Sequence, residues 1–252
     1  MSGRVAIVGL GPGPAEWMTP GAGAAIGAAS DVVGYGPYLD RLALRPDQRA
    51  HASDNREELS RARLALRLAA EGCAVAVVSG GDPGVFAMAA AVFEAIEGNP
   101  RWLDLDIAVE PGVTAMQAAA ARLGAPLGHD FCAISLSDNL KPWAMVERRL
   151  RAACEGDFVI ALYNPASRAR PTRIVEAFDL LRRLKTQATP VAFARAVGRA
   201  DETLTLTTVG EADATLADMA TLIMVGSSET RFIARNGARP WMLTPRAYGA
   251  QR

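Results

Sequence analysis

The sequence predicts an α/β protein of two α/β domains, with a mostly parallel sheet in the N-terminal one and a mixed sheet in the C-terminal one. Short apolar runs alternate with longer amphipathic ones, as they do where strands are joined by covering helices. Glycine-rich turns directly follow several of the apolar runs. The length of 252 residues corresponds to roughly 1.7 domains at about 150 residues each.

Along the chain the candidate strands are Arg4–Val8, Asp31–Gly34, Ala74–Ser79, Asp106–Glu110, Phe131–Ser135, Phe158–Tyr163, Val191–Ala196, Thr203–Thr207 and Thr221–Val225. Thr19-Pro20 is a suitable start for the first helix. A second helix is expected over Asn55–Glu71, capped by Ser53 or Asp54 and stopped by Gly72, with Leu59, Ala62, Leu66 and Ala69 on one face. A third, Thr114–Leu123, is stopped by Gly124 and by Pro126 beyond it. The stretch from Gly124 to Asp130 reads as the link between domains, which sets the expected division at 1–124 and 125–252. No helix fits between Val191–Ala196 and Thr203–Thr207, so these two read as an antiparallel hairpin within the mixed sheet. The tail after Glu229, with Pro240 and Pro245, reads as loosely ordered surface.

Composition removes whole classes of function. The 27 basic and 27 acidic residues cancel and the pI is near 6.8, so no positive field gathers nucleic acid. No apolar run approaches the roughly 20 residues that a membrane span needs. The start, Met1 to Gly9, lacks a small-residue cleavage site and reads as a buried strand, so a cytoplasmic protein is expected. Cys73, Cys132 and Cys154, with His51 and His129, form no metal-ligand spacing, and no metal is expected. Only Lys141 and Lys185 are lysines; the arginine excess suits either a GC-rich genome or a ligand rich in carboxylates.

Four motifs stand where chemistry is expected. Gly9-Leu10-Gly11-Pro12-Gly13-Pro14 follows the first strand. A dinucleotide fingerprint would need glycine at Pro14, and both prolines remove amides that a pyrophosphate would use. Ser79-Gly80-Gly81-Asp82-Pro83-Gly84-Val85-Phe86 places a carboxylate among glycines at the end of a strand. Beside phosphates that carboxylate would repel, so a phosphate-free nucleoside fits it better; Asp82 can also cap a helix that has Pro83 as its first residue. Glu110-Pro111-Gly112-Val113-Thr114-Ala115 repeats the layout, Thr114 either capping a helix or meeting the ligand. Leu162-Tyr163-Asn164-Pro165 runs into Arg168, Arg170 and Arg173, which are a solvated face or, turned to a cleft, a carboxylate clamp.

In this order and spacing, Gly9–Gly13, Gly80–Phe86, Gly112–Leu123 and Leu162–Pro165 resemble the tetrapyrrole methylase family, class III S-adenosylmethionine-dependent methyltransferases. The similarity runs from about Val5 to Ser228. Gly34–Tyr38, Gly84–Ala89, Leu127–Asp138, Lys141–Trp143 and Tyr163–Arg168 are similar to a ring-contracting branch of it. The resemblance implies a homodimer, S-adenosylmethionine in a cleft between the domains, S-adenosylhomocysteine as product, and a tetrapyrrole substrate above the cofactor. Carried over by motif, the cofactor contacts are Pro12, Gly80, Gly81, Asp82, Val85, Thr114, Ala115, Tyr163, Asn164, Ala192 and Ala194; Asn164 stands where many relatives have Met. Gly11, Gly13, Lys141, Arg168, Arg170, Arg173 and Arg195 are the expected substrate contacts. A ring contraction needs a base, and His129, Asp130 and Asp138 are the candidates, with His129 equally readable as an ordinary linker histidine. A nicotinamide dehydrogenase and a non-catalytic nucleotide sensor are the competing readings; Pro12, Pro14 and Asp82 disfavour the first.

Overall fold

The computed structural model describes residues 3–55, 57–166 and 172–249. The chain divides into two compact units, Met1–Ala115 and Met116–Arg252. The division falls at the start of the helix whose end the sequence suggested as the boundary.

In the first unit the strands are β1 (Arg4–Gly9), β2 (Asp31–Tyr35), β3 (Arg49–Ser53), β4 (Ala74–Ser79) and β5 (Asp106–Glu110), with helices α1 (Pro20–Ala28), α2 (Gly36–Leu39), α3 (Glu58–Ala70) and α4 (Met88–Glu97) between them. The order is β3-β2-β4-β1-β5, and every pair is parallel. The inner strands β1, β2 and β4 are buried on both faces, which is why their sequences run apolar without alternation. Val5 and Ile7 of β1 pack with α3 and α4, while Ala6 and Val8 pack with α1 on the other face. Thr19 caps α1, its hydroxyl accepting the Ala22 amide at 3.1 Å.

Three expectations in this unit are corrected. Strand β3, Arg-Ala-His-Ala-Ser, was not expected, because an edge strand pairing only with β2 needs no apolar run. Ser53 therefore closes β3 and Glu57 precedes α3. Of the expected stripe on α3, Leu59 is exposed, and Ala65 joins Ala62, Leu66 and Ala69 in the core. Asp82 does not cap α4, which begins at Met88 after Ala87; its carboxylate is engaged elsewhere, as described below.

The second unit contains α5 (Ala115–Leu123, its first residue shared with the boundary), β6 (Gly124–Ala125), β7 (Phe131–Ser135), α6 (Trp143–Glu155), β8 (Val159–Tyr163), α7 (Arg173–Leu184), β9 (Pro190–Arg195), β10 (Thr203–Thr208), β11 (Thr221–Val225), β12 (Arg231–Arg235) and β13 (Ala238–Leu243). Its main sheet has the order β10-β9-β11-β8-β7. Only β7 and β8 pair in parallel, so the sheet is mixed, and β9–β10 is the expected hairpin. Phe178 and Leu181 of α7 and Val146 and Leu150 of α6 pack on the face that carries Val191, Phe193 and Ile223. The tail is not loose: β12 and β13 pair, and β13 also pairs with β6. The turn is Asn236-Gly237, with Gly237 at φ +68°, and such a dipeptide is the strongest short hairpin signal. Among the described residues no helix is long and apolar enough to cross a membrane.

Candidate functional site

The glycine motifs of the first unit meet at the carboxyl ends of β4, β1 and β5, three adjacent strands. From there the chain leaves β1 toward β2 on one side and β4 toward β5 on the other. Such a switch of direction is where open α/β sheets bind ligands.

The three loops are tied to one another by backbone. The Leu10 amide donates to Ser79 O at 2.9 Å, and Gly11 and Gly81 exchange both amide bonds at 3.1 Å. A side chain on Gly9 would lie 2.7 Å from Gly112 N, and one on Gly112 would lie 2.3 Å from Gly81 O. Glycine is required at both positions because only bare backbone allows this approach. Asp82 completes the lacing: Oδ1 accepts the Gly84 amide at 2.8 Å and Oδ2 the Gly112 amide at 3.0 Å. Each oxygen keeps a further lone pair, so a hydroxyl can still donate to it. Phe86, at φ +53°, is held in the left-handed region.

The loop after β1 has a support that sequence reasoning missed. Arg41 Nη2 donates to the carbonyls of Leu10 at 3.3 Å, Gly11 at 3.1 Å and Gly13 at 2.8 Å. No local signal marks Arg41, since its partners lie about thirty residues upstream. With amides paired to the neighbouring loop, carbonyls turned to Arg41, and prolines at 12 and 14, the loop has little left to offer a phosphate. The cradle of bare glycines and the partly engaged carboxylate fit a nucleoside without phosphates.

In the second unit Asn164, Asp138, Lys141 and Arg173 come together at the carboxyl ends of β7 and β8. Asn164 sits at φ +51°, a conformation asparagine tolerates better than methionine does. Its Nδ2 donates to Ser135 Oγ at 3.0 Å, and the Tyr163 hydroxyl accepts the Met116 amide at 3.0 Å. Arg173 Nε pairs with Asp138 Oδ2 at 2.8 Å, its Nη1 with Glu176 at 2.8 Å, and its guanidinium lies 4.9 Å from the Trp143 ring centre. Lys141 Nζ donates to Ser137 O at 2.7 Å.

Several expected site residues are placed otherwise. His129 and Asp130 precede β7 whereas Asp138 follows it, and five strand residues separate the two ends by about 16 Å. His129 packs edge-on against Tyr248 at 4.5 Å. Arg173 and Arg195 are not spare cations: Arg195 pairs at 2.8 Å with both Asp201 and Asp218, and two carboxylates over-neutralise each guanidinium. Hydrogen bonds to these acids hold both arginines above the usual pKa. Ala192 and Ala194 are 0% and 1% exposed in the middle of the sheet, so their side chains offer a ligand no access in this conformation. Arg168 and Arg170 lie outside the described residues. Among the described residues no cluster could hold a metal.

Fold and motifs together define a class. The profile of the Tetrapyrrole (Corrin/Porphyrin) Methylases matches residues 4–213, and the chain belongs to that family. It is 59% identical to a precorrin-3B C(17)-methyltransferase of Sinorhizobium sp over 98% of each chain. It is 42% identical to a probable cobalt-factor III C(17)-methyltransferase of Salmonella typhimurium, over 97% of this chain and 99% of that one. Its fold is similar to that in a crystal structure of the methyltransferase CobJ, with TM-score 0.92 and 49% identity over 97% of this chain and 100% of the other.

Proposed function

We propose that this protein is the S-adenosylmethionine-dependent C-methyltransferase of cobalamin biosynthesis that methylates C17 of precorrin-3B and contracts its ring to precorrin-4. The observation that carries this reading is the 59% identity, over 98% of both chains, to a relative bearing that activity in its name. The reading includes a homodimer working in the cytoplasm, as the family resemblance implies.

S-adenosylmethionine supplies a methyl group on a sulfonium, and its displacement requires alignment of the ring carbon, methyl and sulfur. Alignment is worth about 7–11 kcal/mol and a base about 10²–10⁴-fold, so positioning dominates. In the first unit Pro12, Gly80, Gly81, Val85, Thr114 and Ala115 would line the nucleoside, and Asp82 would accept a hydroxyl proton. In the second unit Tyr163 and Asn164 would add contacts. His129, Asp130 and Asp138 are the candidates for the base that removes the proton during ring contraction. Gly11, Gly13 and Lys141 would meet the tetrapyrrole, Lys141 through a carboxylate arm.

A second reading, the same methylation on cobalt-factor III, is supported by the 42% identity to the Salmonella relative. Both are tested by incubating the purified protein with methyl-labelled S-adenosylmethionine and either metal-free precorrin-3B or cobalt-factor III, followed by mass spectrometry. Label in a ring-contracted product is expected in the metal-free tube. Label only in the cobalt tube replaces the first reading with the second, and label in neither overturns both.

A further inference from the structure

We propose that Arg41 is a positioning residue: a strut that holds the loop after β1 in the shape that receives the cofactor. This rests on the cofactor reading above, because Pro12, at the centre of the loop, is the expected contact. A cavity of about 250 Å³ lies beside the loop, lined by Leu10, Gly13, Ala15, Met18, Arg41 and Leu42. Its lining is otherwise apolar side chain and glycine, so Arg41 supplies its charge. The guanidinium binds three carbonyls of one four-residue stretch from a single nitrogen, Nη2. The amides of Leu10 and Gly11 pin one end of the loop to Ser79 and Gly81, and Pro12 and Pro14 have no amide to give. The far end, Gly13, is held by Arg41 alone among the hydrogen bonds described for it, at 2.8 Å. Without that bond the loop has an empty volume beside it and glycines on both sides of Pro12, so it can fold inward. The effect on the cofactor is indirect, since the contacts of Arg41 that shape the loop are made to its carbonyls.

The test is S-adenosylhomocysteine binding by calorimetry to the unaltered protein and to Arg41→Ala and Arg41→Lys. A charge-assisted hydrogen bond at a partly exposed site supports an expected loss of about tenfold in affinity for Arg41→Ala. Methylguanidinium below denaturing concentration should restore much of it, whereas urea at the same concentration should not. Arg41→Lys, which keeps the charge but reaches fewer carbonyls, should fall between. Unchanged affinity in Arg41→Ala overturns the strut, and so does a loss that methylguanidinium leaves untouched while Arg41→Lys binds no better than Arg41→Ala. If the unaltered protein binds no S-adenosylhomocysteine, the cofactor reading itself falls and the strut with it.

Discussion

Gly112 concentrates the demands of the site at one residue. A methyl group there would lie 2.3 Å from Gly81 O and 3.0 Å from Gly9 Cα, and backbone cannot swing aside as a side chain can. The same residue gives its amide to Asp82, so a shift of Gly112 also loosens the loop after β4. Gly112→Ala is expected to cost about 1–3 kcal/mol of stability, as overpacking does, and to abolish S-adenosylhomocysteine binding. Urea denaturation and calorimetry check the two effects separately. The need for bare backbone was legible from the motifs, because glycines after strands have few other uses. The role of Asp82 was half legible. Its residue type announced an acceptor, but which amides it takes depends on a loop thirty residues away. Arg41 was illegible for the same reason.

Among the elements, strands that carry an apolar run could be read to the residue: β4, β5, β7 and β11 span what those runs predict, although β5 and β7 lie at sheet edges. Strands without such a run could not. Strand β3 carries a polar sequence because only β2 pairs with it, and β12 and β13 were passed over although Asn236-Gly237 marks their turn. His129, just before β7, packs against a residue more than a hundred positions away, which no spacing could reveal. Its neighbour Tyr248 anchors the end of the described chain, donating its hydroxyl to Asp157 Oδ2 at 2.8 Å. Burial, then that hydrogen bond, pushes the phenol up to about 12 from 10.0. A raised pKa means the contribution is whole below pH 10 and is lost as the pH climbs through the folded value. The stability difference between the unaltered protein and Tyr248→Phe should therefore be constant from neutral pH to pH 10 and shrink by pH 12. Cys132, pushed up to about 11 by burial, titrates in both proteins and cancels. Chemical denaturation across that range checks it, and a difference that grows with pH would contradict the anchor. On the acid side burial works against ionisation of Asp157, yet hydrogen bonds from Ser228 and Tyr248 hold its carboxyl below the usual range. Its contribution to stability is whole above the ordinary carboxylate pKa and is lost as the pH falls from there through that lowered value.

At the scale of the whole molecule, a ligand that binds only the folded chain adds stability by mass action. At a hundredfold excess over its dissociation constant that is about 2.7 kcal/mol, or roughly 5–10 °C in melting temperature for a chain of this size. S-adenosylhomocysteine is expected to give such a shift and NADH none, which a thermal melt with each ligand checks. The zero net charge makes the shift insensitive to non-specific anion binding. The interlock of Gly9, Gly81 and Gly112 also has a consequence for the protein's manufacture. Its partners come from the first strand and from the last strand of the first unit. A ribosome adding about 5–20 residues per second takes roughly 5–20 s to go from one to the other. During that interval the nascent chain has its first strand but no place for a nucleoside. Cofactor supply can therefore assist only the closing stage of this unit's assembly, and a stall before β5 would leave a chain that no amount of ligand rescues.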